Sequence, residues 1–131
     1  MYFYNKGYGL HDAKVSEIKV DGNKIILYFD KGIYLIDKNG KENKLTDRCK
    51  IVVRVKNEEW ENCIDIIRFH KKRYKSINLI DFNNLVTEFS FDVLDEFYSG
   101  FSKSIILFGY TGKYRIELNI LDVDDISLFY I

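Results

Sequence analysis

The sequence predicts a mainly β fold, an antiparallel sandwich or rolled sheet of eight or nine strands with one short helix, and three observations carry that expectation. The composition is strand-like: one alanine, no proline and no glutamine stand against abundant Ile, ten Tyr and ten Phe, side chains that suit a pleated, half-buried surface better than a helix. Several segments alternate apolar and polar residues with period two, which buries one face of a strand and wets the other. Glycine-containing turn signals separate those segments at regular spacing, as in a chain that folds back on itself repeatedly. A β-rich α+β domain is the rival architecture.

The first hairpin runs from Ile18 and Val20 through Asp21-Gly22-Asn23 into residues 25–29, because Asp-Gly between apolar runs is a strong hairpin signal. Residues 25–29, 33–36, 51–55 and 105–108 are apolar on both faces and bounded by turn residues, which predicts central strands covered on both sides. Asp30-Lys31-Gly32, Lys38-Asn39-Gly40 and Tyr110-Thr111-Gly112 read as tight connections, glycine supplying the positive φ such turns need. Residues 81–87 form the helix candidate, with Asp81 as its N-cap. Phe89, Phe91 and Val93 then alternate with Ser90 and Asp92, and the clearest strand is 114–120, where Tyr114, Ile116, Leu118 and Ile120 alternate with Arg115, Glu117 and Asn119. Ile126, Leu128 and Tyr130 close the series.

Residues 25–36 and 105–116 agree at six of twelve aligned positions. Duplication and convergence in an Ile-rich, Tyr-rich chain both explain the agreement, and both predict two hairpins.

At 131 residues the chain suits one domain over 1–131 with a core large enough to stand without disulfides or metals. It has no uninterrupted apolar run of membrane-spanning length and no basic, apolar leader at its start, so a cytoplasmic protein without a membrane partner is expected. Cys49 and Cys63 are too few for a secreted disulfide scaffold and read as free, partly buried thiols. With only His11 and His70 to add, no zinc-ligand spacing exists, and neither a metal nor another cofactor is expected. The net charge of zero hides a split: residues 1–80 hold 17 Lys and Arg against 11 Asp and Glu, and residues 81–131 hold 3 against 9. If the halves form opposite faces, the molecule is strongly dipolar.

Four groups of residues could carry function. His11-Asp12 is the candidate for catalysis, since a carboxylate can orient an imidazole for proton transfer, although adjacent residues rarely face each other and a turn role explains the pair with less. Lys71, Lys72, Arg73 and Lys75, beside His70 and Tyr74, combine cations with an aromatic as nucleic-acid binding requires. A solvated loop explains them equally simply, and a chain of zero net charge makes nucleic acid an unexpected partner. The carboxylates Asp92, Asp95 and Glu96, and then Asp122, Asp124 and Asp125, are the types that hydrolyse glycosides or hold hard cations, but neither set has a recognisable spacing. Tyr2, Phe3, Tyr4, Phe97, Tyr98 and Phe101 belong to an aromatic content larger than one core of this size needs, so some rings should form an exposed contact surface.

The opening Gly9-Leu10-His11-Asp12-Ala13-Lys14-Val15, running into the first hairpin, resembles small uncharacterised β-rich proteins of low-GC Gram-positive bacteria, some of which look like toxin-immunity proteins. The resemblance covers about thirty residues and implies no site residues. The expected function is a non-enzymatic protein-interaction module whose partner is another protein or a second copy of the chain. A ligand-binder or enzyme built on His11, Asp12 or the carboxylates is the alternative, followed by nucleic-acid binding through residues 70–75.

Overall fold

Alternation of apolar and polar residues becomes, in the computed structural model, a mainly β fold: 58% of the described residues are strand, arranged as three antiparallel sheets with one α-helix and no closed barrel among those residues. Residues 7–131 are described, so the candidate contacts Tyr2, Phe3 and Tyr4 lie outside them. The four-stranded sheet has the order β13 (Val123–Tyr130), β7 (Cys49–Val55), β4 (Lys24–Phe29), β3 (Glu17–Asp21). The six-stranded sheet runs β2 (Lys14–Val15), β10 (Phe91–Ser99), β11 (Ser104–Thr111), β12 (Tyr114–Ile120), β8 (Ile64–His70), β9 (Arg73–Ile77). A small third sheet joins β1 (Tyr8–Gly9), β5 (Tyr34–Ile36) and β6 (Glu42–Leu45). Thirteen strands therefore replace the expected eight or nine. The surplus comes from two-residue ladders and from β6, β8 and β9, whose polar or mixed composition hides them from a periodicity reading.

Alternation decides which side chains turn inward. Ile25, Leu27 and Phe29 of β4, Ile51, Val53 and Val55 of β7, Leu107 of β11, and Ile116, Leu118 and Ile120 of β12 join Phe82 and Val86 of the helix in one hydrophobic cluster. Burying a side chain of this kind stabilises the fold by about 1.5–3 kcal/mol before the entropy of ordering it is subtracted. The runs expected to be covered on both sides are buried on one side only: Ile26, Tyr28, Val52, Ile106 and Phe108 are half-buried on the opposite faces. The helix packs against β3 and β11.

The helix α1 spans Leu79–Phe89, longer at both ends than residues 81–87. Asn78, not Asp81, is the N-cap: its side-chain oxygen accepts the Asp81 N–H at 2.8 Å, leaving the Asp81 carboxylate in the first turn, where it complements the helix dipole. At the other end Ser90 takes φ 63° and donates its N–H to the Val86 carbonyl. Phe89 is consequently helical, and the alternating strand begins at Phe91. The helix is fastened by an edge-on Phe82–Phe91 contact (5.5 Å), by Ile18 N–H donating to Asn83 Oδ1 (3.0 Å) and by Thr111 Oγ1 donating to the Leu85 carbonyl (3.2 Å).

Only one of the two similar segments is a hairpin. β11 and β12 pair directly across the turn containing Gly112, whereas β4 and β5 lie in different sheets. Both edges of β4 are already occupied, by β3 and β7, so the chain leaving Phe29 has no edge to return to and pairs with β1 and β6 instead.

Candidate functional site

Cross-strand register places a continuous band of side chains on the outer face of the six-stranded sheet. Asp92, Tyr110, Arg115, Phe69 and Tyr74 form one row across β10, β11, β12, β8 and β9, and Asp95, Phe108, Glu117, Ile67 and Ser76 form the next. Phe97 and Ile106 start a third. Solvent reaches much of this band: Tyr74 is 76% exposed, Phe97 55% and Tyr110 45%. Phe97 meets Phe108 edge-on at 5.6 Å, and the Arg115 guanidinium lies 4.7 Å from the Phe69 ring centroid.

A β-bulge between Val93 and Asp95 organises the centre of the band. Phe91 and Val93 point inward before it, and Glu96 and Tyr98 point inward after it, opposite Leu107 and Ile105, while Asp95 and Phe97 turn outward. A shallow depression of about 430 Å³ results, lined by Phe69, Leu94, Asp95, Phe108, Tyr110 and Glu117, with one cation, Arg115, stacked on Phe69 in its wall. Among the described residues neither Asp95 nor Glu117 forms an ion pair; Glu117 accepts only the Asn119 side-chain amide, at 3.1 Å.

The bulge also separates the first set of candidate carboxylates. Asp92 and Asp95 face outward, with Asp92 held by Lys14 (3.1 Å) and the Ser90 hydroxyl (2.9 Å). Glu96 accepts the Leu10 N–H and hydrogen-bonds Tyr98, whose hydroxyl pKa is driven up first by burial and then by that carboxylate. Tyr8 is pushed up to about 12 by the same two causes. Tyr98, expected at the contact surface, therefore packs against the core instead, while Phe97 lies on the outer face and Phe101 sits fully exposed in the turn after β10. In the second set Asp124 pairs with Arg54 at 3.0 Å, and Asp125, the cross-strand neighbour of the same arginine, accepts the Ser127 hydroxyl.

His11 and Asp12 do meet, in the turn before β2. His11 Nδ1 is 3.1 Å from Asp12 and 3.0 Å from Glu42, which β6 delivers from the small sheet. The hydrogen bond to Glu42 raises the imidazole pKa; burial opposes it, and the charge of Asp12 adds to the rise. Asp12 holds φ 65°. The spacing of the three side chains suits a divalent cation. All three are exposed and they share one ring nitrogen, so what they demonstrably do is fasten the small sheet to the loop before β2.

Residues 70–75 form no loop. His70 ends β8, Lys71 and Lys72 make a two-residue turn with Lys71 at φ 57°, and Arg73 opens β9, so the basic residues stand on a hairpin at the edge of the six-stranded sheet. Cys49 and Cys63 are free and fully buried, and burial raises both thiol pKa values.

Sequence reasoning missed Phe69, Leu94, Phe108, Tyr110 and Glu117. The alternation of Glu117 in 114–120 was visible; its alignment with Asp95 across Phe108 depended on the bulge and on pairing between distant strands. No helix among the described residues is long and apolar enough to cross a membrane. Compared with protein-family models, curated proteins and solved structures, the chain matches none.

Proposed function

We propose that the chain is a non-enzymatic protein-binding module whose contact surface is the outer face of the six-stranded sheet. In this reading the two larger sheets are the layers of a sandwich, and the partner presents an apolar surface with one Lys or Arg side chain entering the depression beside Asp95 and Glu117. The observation that carries the reading is the coincidence, on one face, of exposed Tyr74, Phe97 and Tyr110 with two carboxylates lacking an ion pair. Exposed aromatics are characteristic of contact surfaces, and a cation sealed against a carboxylate under an apolar rim gives register and slow release. Strand spacing makes the face roughly 24 Å across and β12 makes it roughly 23 Å long, about 550 Å², the scale of a small interface. The separation of Glu96 from Asp92 and Asp95 and the exposure of the His11 group favour binding over catalysis, and the resemblance of the opening residues to small uncharacterised β-rich proteins, some of which look like toxin-immunity proteins, fits the same reading.

Affinity capture from the native host's lysate, run beside light scattering of the purified protein, tests this. The wild-type chain is expected to retain one near-stoichiometric protein, which Phe97→Lys with Tyr110→Lys loses and Asp95→Lys weakens at least tenfold, while Ile80→Lys on the helix retains it. A monomer that captures nothing, capture indifferent to the face variants, or a wild-type dimer dissociated by them would each overturn the basic-anchored partner.

A further inference from the structure

The β8–β9 hairpin carries a second surface on the opposite side of the sheet from the outer aromatic band. Arg68 stands directly opposite Lys75, and His70 directly opposite Arg73. Like charges in such positions repel, and sheets ordinarily place opposite charges there. The four-stranded sheet also sets two cations opposite each other, Lys24 and Arg54, but carboxylates close that pair: Asp21 lies across from Lys24, and Asp124 meets Arg54 at 3.0 Å. At the hairpin no such closure exists, because among the described residues none of Arg68, Arg73, Lys75 or Lys113 has an ion-pair partner.

These cations surround a concavity of about 390 Å³ lined by Arg68, His70, Arg73, Tyr74, Lys75 and Tyr114, with no carboxylate in its wall. Two of them are held in place before any ligand arrives. The Arg68 guanidinium lies 4.6 Å from the Tyr114 ring centroid and the Lys113 ammonium 5.3 Å from it, with the His70 ring edge-on to the same tyrosine at 5.4 Å. Stacking of this kind leaves the guanidinium edge available for a bidentate anion. Tyr74, at the lip, is 76% exposed and offers a flat ring to a base.

We infer that this concavity binds a nucleotide phosphate, with the phosphate between Arg68 and Lys75 and the base against Tyr74. Several fixed cations without a carboxylate favour phosphate over a single carboxylate group, the volume exceeds that of an isolated ion and is on the scale of small-molecule sites, and the free edge of β9 leaves room for a strand to continue past it. The nucleotide is either free or part of a single strand. The concavity shares only Tyr74, at the edge of the sheet, with the proposed protein-contact face; Arg68 and Lys75 belong to the concavity alone and Phe97 and Tyr110 to the contact face alone, so variants at those pairs test the two assignments separately.

The test uses the intact chain with inorganic phosphate, a mononucleotide and a dye-labelled oligothymidylate of roughly ten nucleotides, read by calorimetry and fluorescence anisotropy in low and high salt. Binding of the mononucleotide or the oligonucleotide is expected, tighter than that of phosphate alone; a log–log salt slope of about −0.7 for each phosphate neutralised identifies the strand as the source, and equal affinity for both identifies the free nucleotide. Arg68→Ala with Lys75→Ala should weaken binding at least tenfold with little change in melting temperature, since the repulsion between the two is lost together with the Arg68–Tyr114 stack. Tyr74→Ala should weaken the mononucleotide and oligonucleotide but not inorganic phosphate. No binding of either nucleotide form, binding unchanged in the double variant, or equal binding of a polyglutamate peptide would overturn the inference.

Discussion

Residues 25–36 and 105–116 share half their amino acids and part company at their glycines. In the second segment Gly112, at φ 58°, turns β11 straight back into β12, and the two strands pair along their whole length. In the first, Gly32 at φ 80° closes a turn onto the Phe29 carbonyl, and Ile33 then bonds Thr46 in both directions rather than β4. Similar local chemistry produces a strand and a turn in each case. What differs is whether the strand just completed still has a free edge, and that is decided by segments far away in the chain.

The sharpest probe is the aligned pair Phe29 and Gly109. Phe29 is wholly buried, whereas a Cβ built on Gly109 would lie 1.9 Å from the Asp92 carbonyl oxygen, because the bulged β10 backs onto it. Phe29→Ala is expected to cost about 3–5 kcal/mol in chemical denaturation. A loss below about 1 kcal/mol would mean that β4 is not part of a packed core.

Next in size is Gly32→Ala. Its new Cβ would meet the Thr46 carbonyl oxygen at 2.0 Å in a left-handed backbone, so a loss of roughly 2–3 kcal/mol combines the conformational penalty with displacement of a backbone neighbour. Gly112→Ala is smaller, about 1 kcal/mol, because the nearest atoms belong to the Phe89 ring at 3.0–3.3 Å and half-exposed rings can yield. Equal melting temperatures for the two alanine variants would erase the distinction between a turn that hands the chain to another sheet and one that merely reverses it.

The smallest effect follows from where the handover leads. Because β5 pairs with β6, Glu42 reaches His11 and raises its pKa. A folded-state value above the unfolded one contributes stability that is complete below about pH 6.5 and is lost as pH rises through the folded value. NMR titration of the His11 ring should therefore show a midpoint above the ordinary histidine range in the wild type and a return toward it in Glu42→Gln. An unchanged midpoint would detach the small sheet from the loop before β2.

Much of the strand content was legible because burial on one face forces alternation, as 114–120 shows, and the Asp21-Gly22-Asn23 hairpin was legible because its turn chemistry is local. Hidden were β8 and β9: Arg68, His70, Arg73 and Lys75 occupy positions where a core strand would place apolar residues. The helix was read short because Asp81 resembles a cap and Asn78 performs the capping. Of the contact face, Phe97 could be named from composition, while Phe101, named with it, sits in the turn after β10. Phe69, Tyr110 and Glu117 could not, since neighbours across a sheet are set by pairing order, and pairing order has no local signature. The bulge at Val93–Asp95 likewise sent Glu96 and Tyr98 inward without any residue that announces it.

The two occupied edges of β4 also set a clock. The β3–β4 hairpin closes through a short turn and can form within microseconds, but β7 must wait until the chain has travelled through β5 and β6 and come back. Lengthening that excursion adds little to the equilibrium cost of closure, yet it leaves Ile25 to Phe29 with an unpaired, apolar rim during assembly. Such a rim is a template for another molecule at the same stage, so refolding yield should fall with protein concentration, and rapid dilution should restore it.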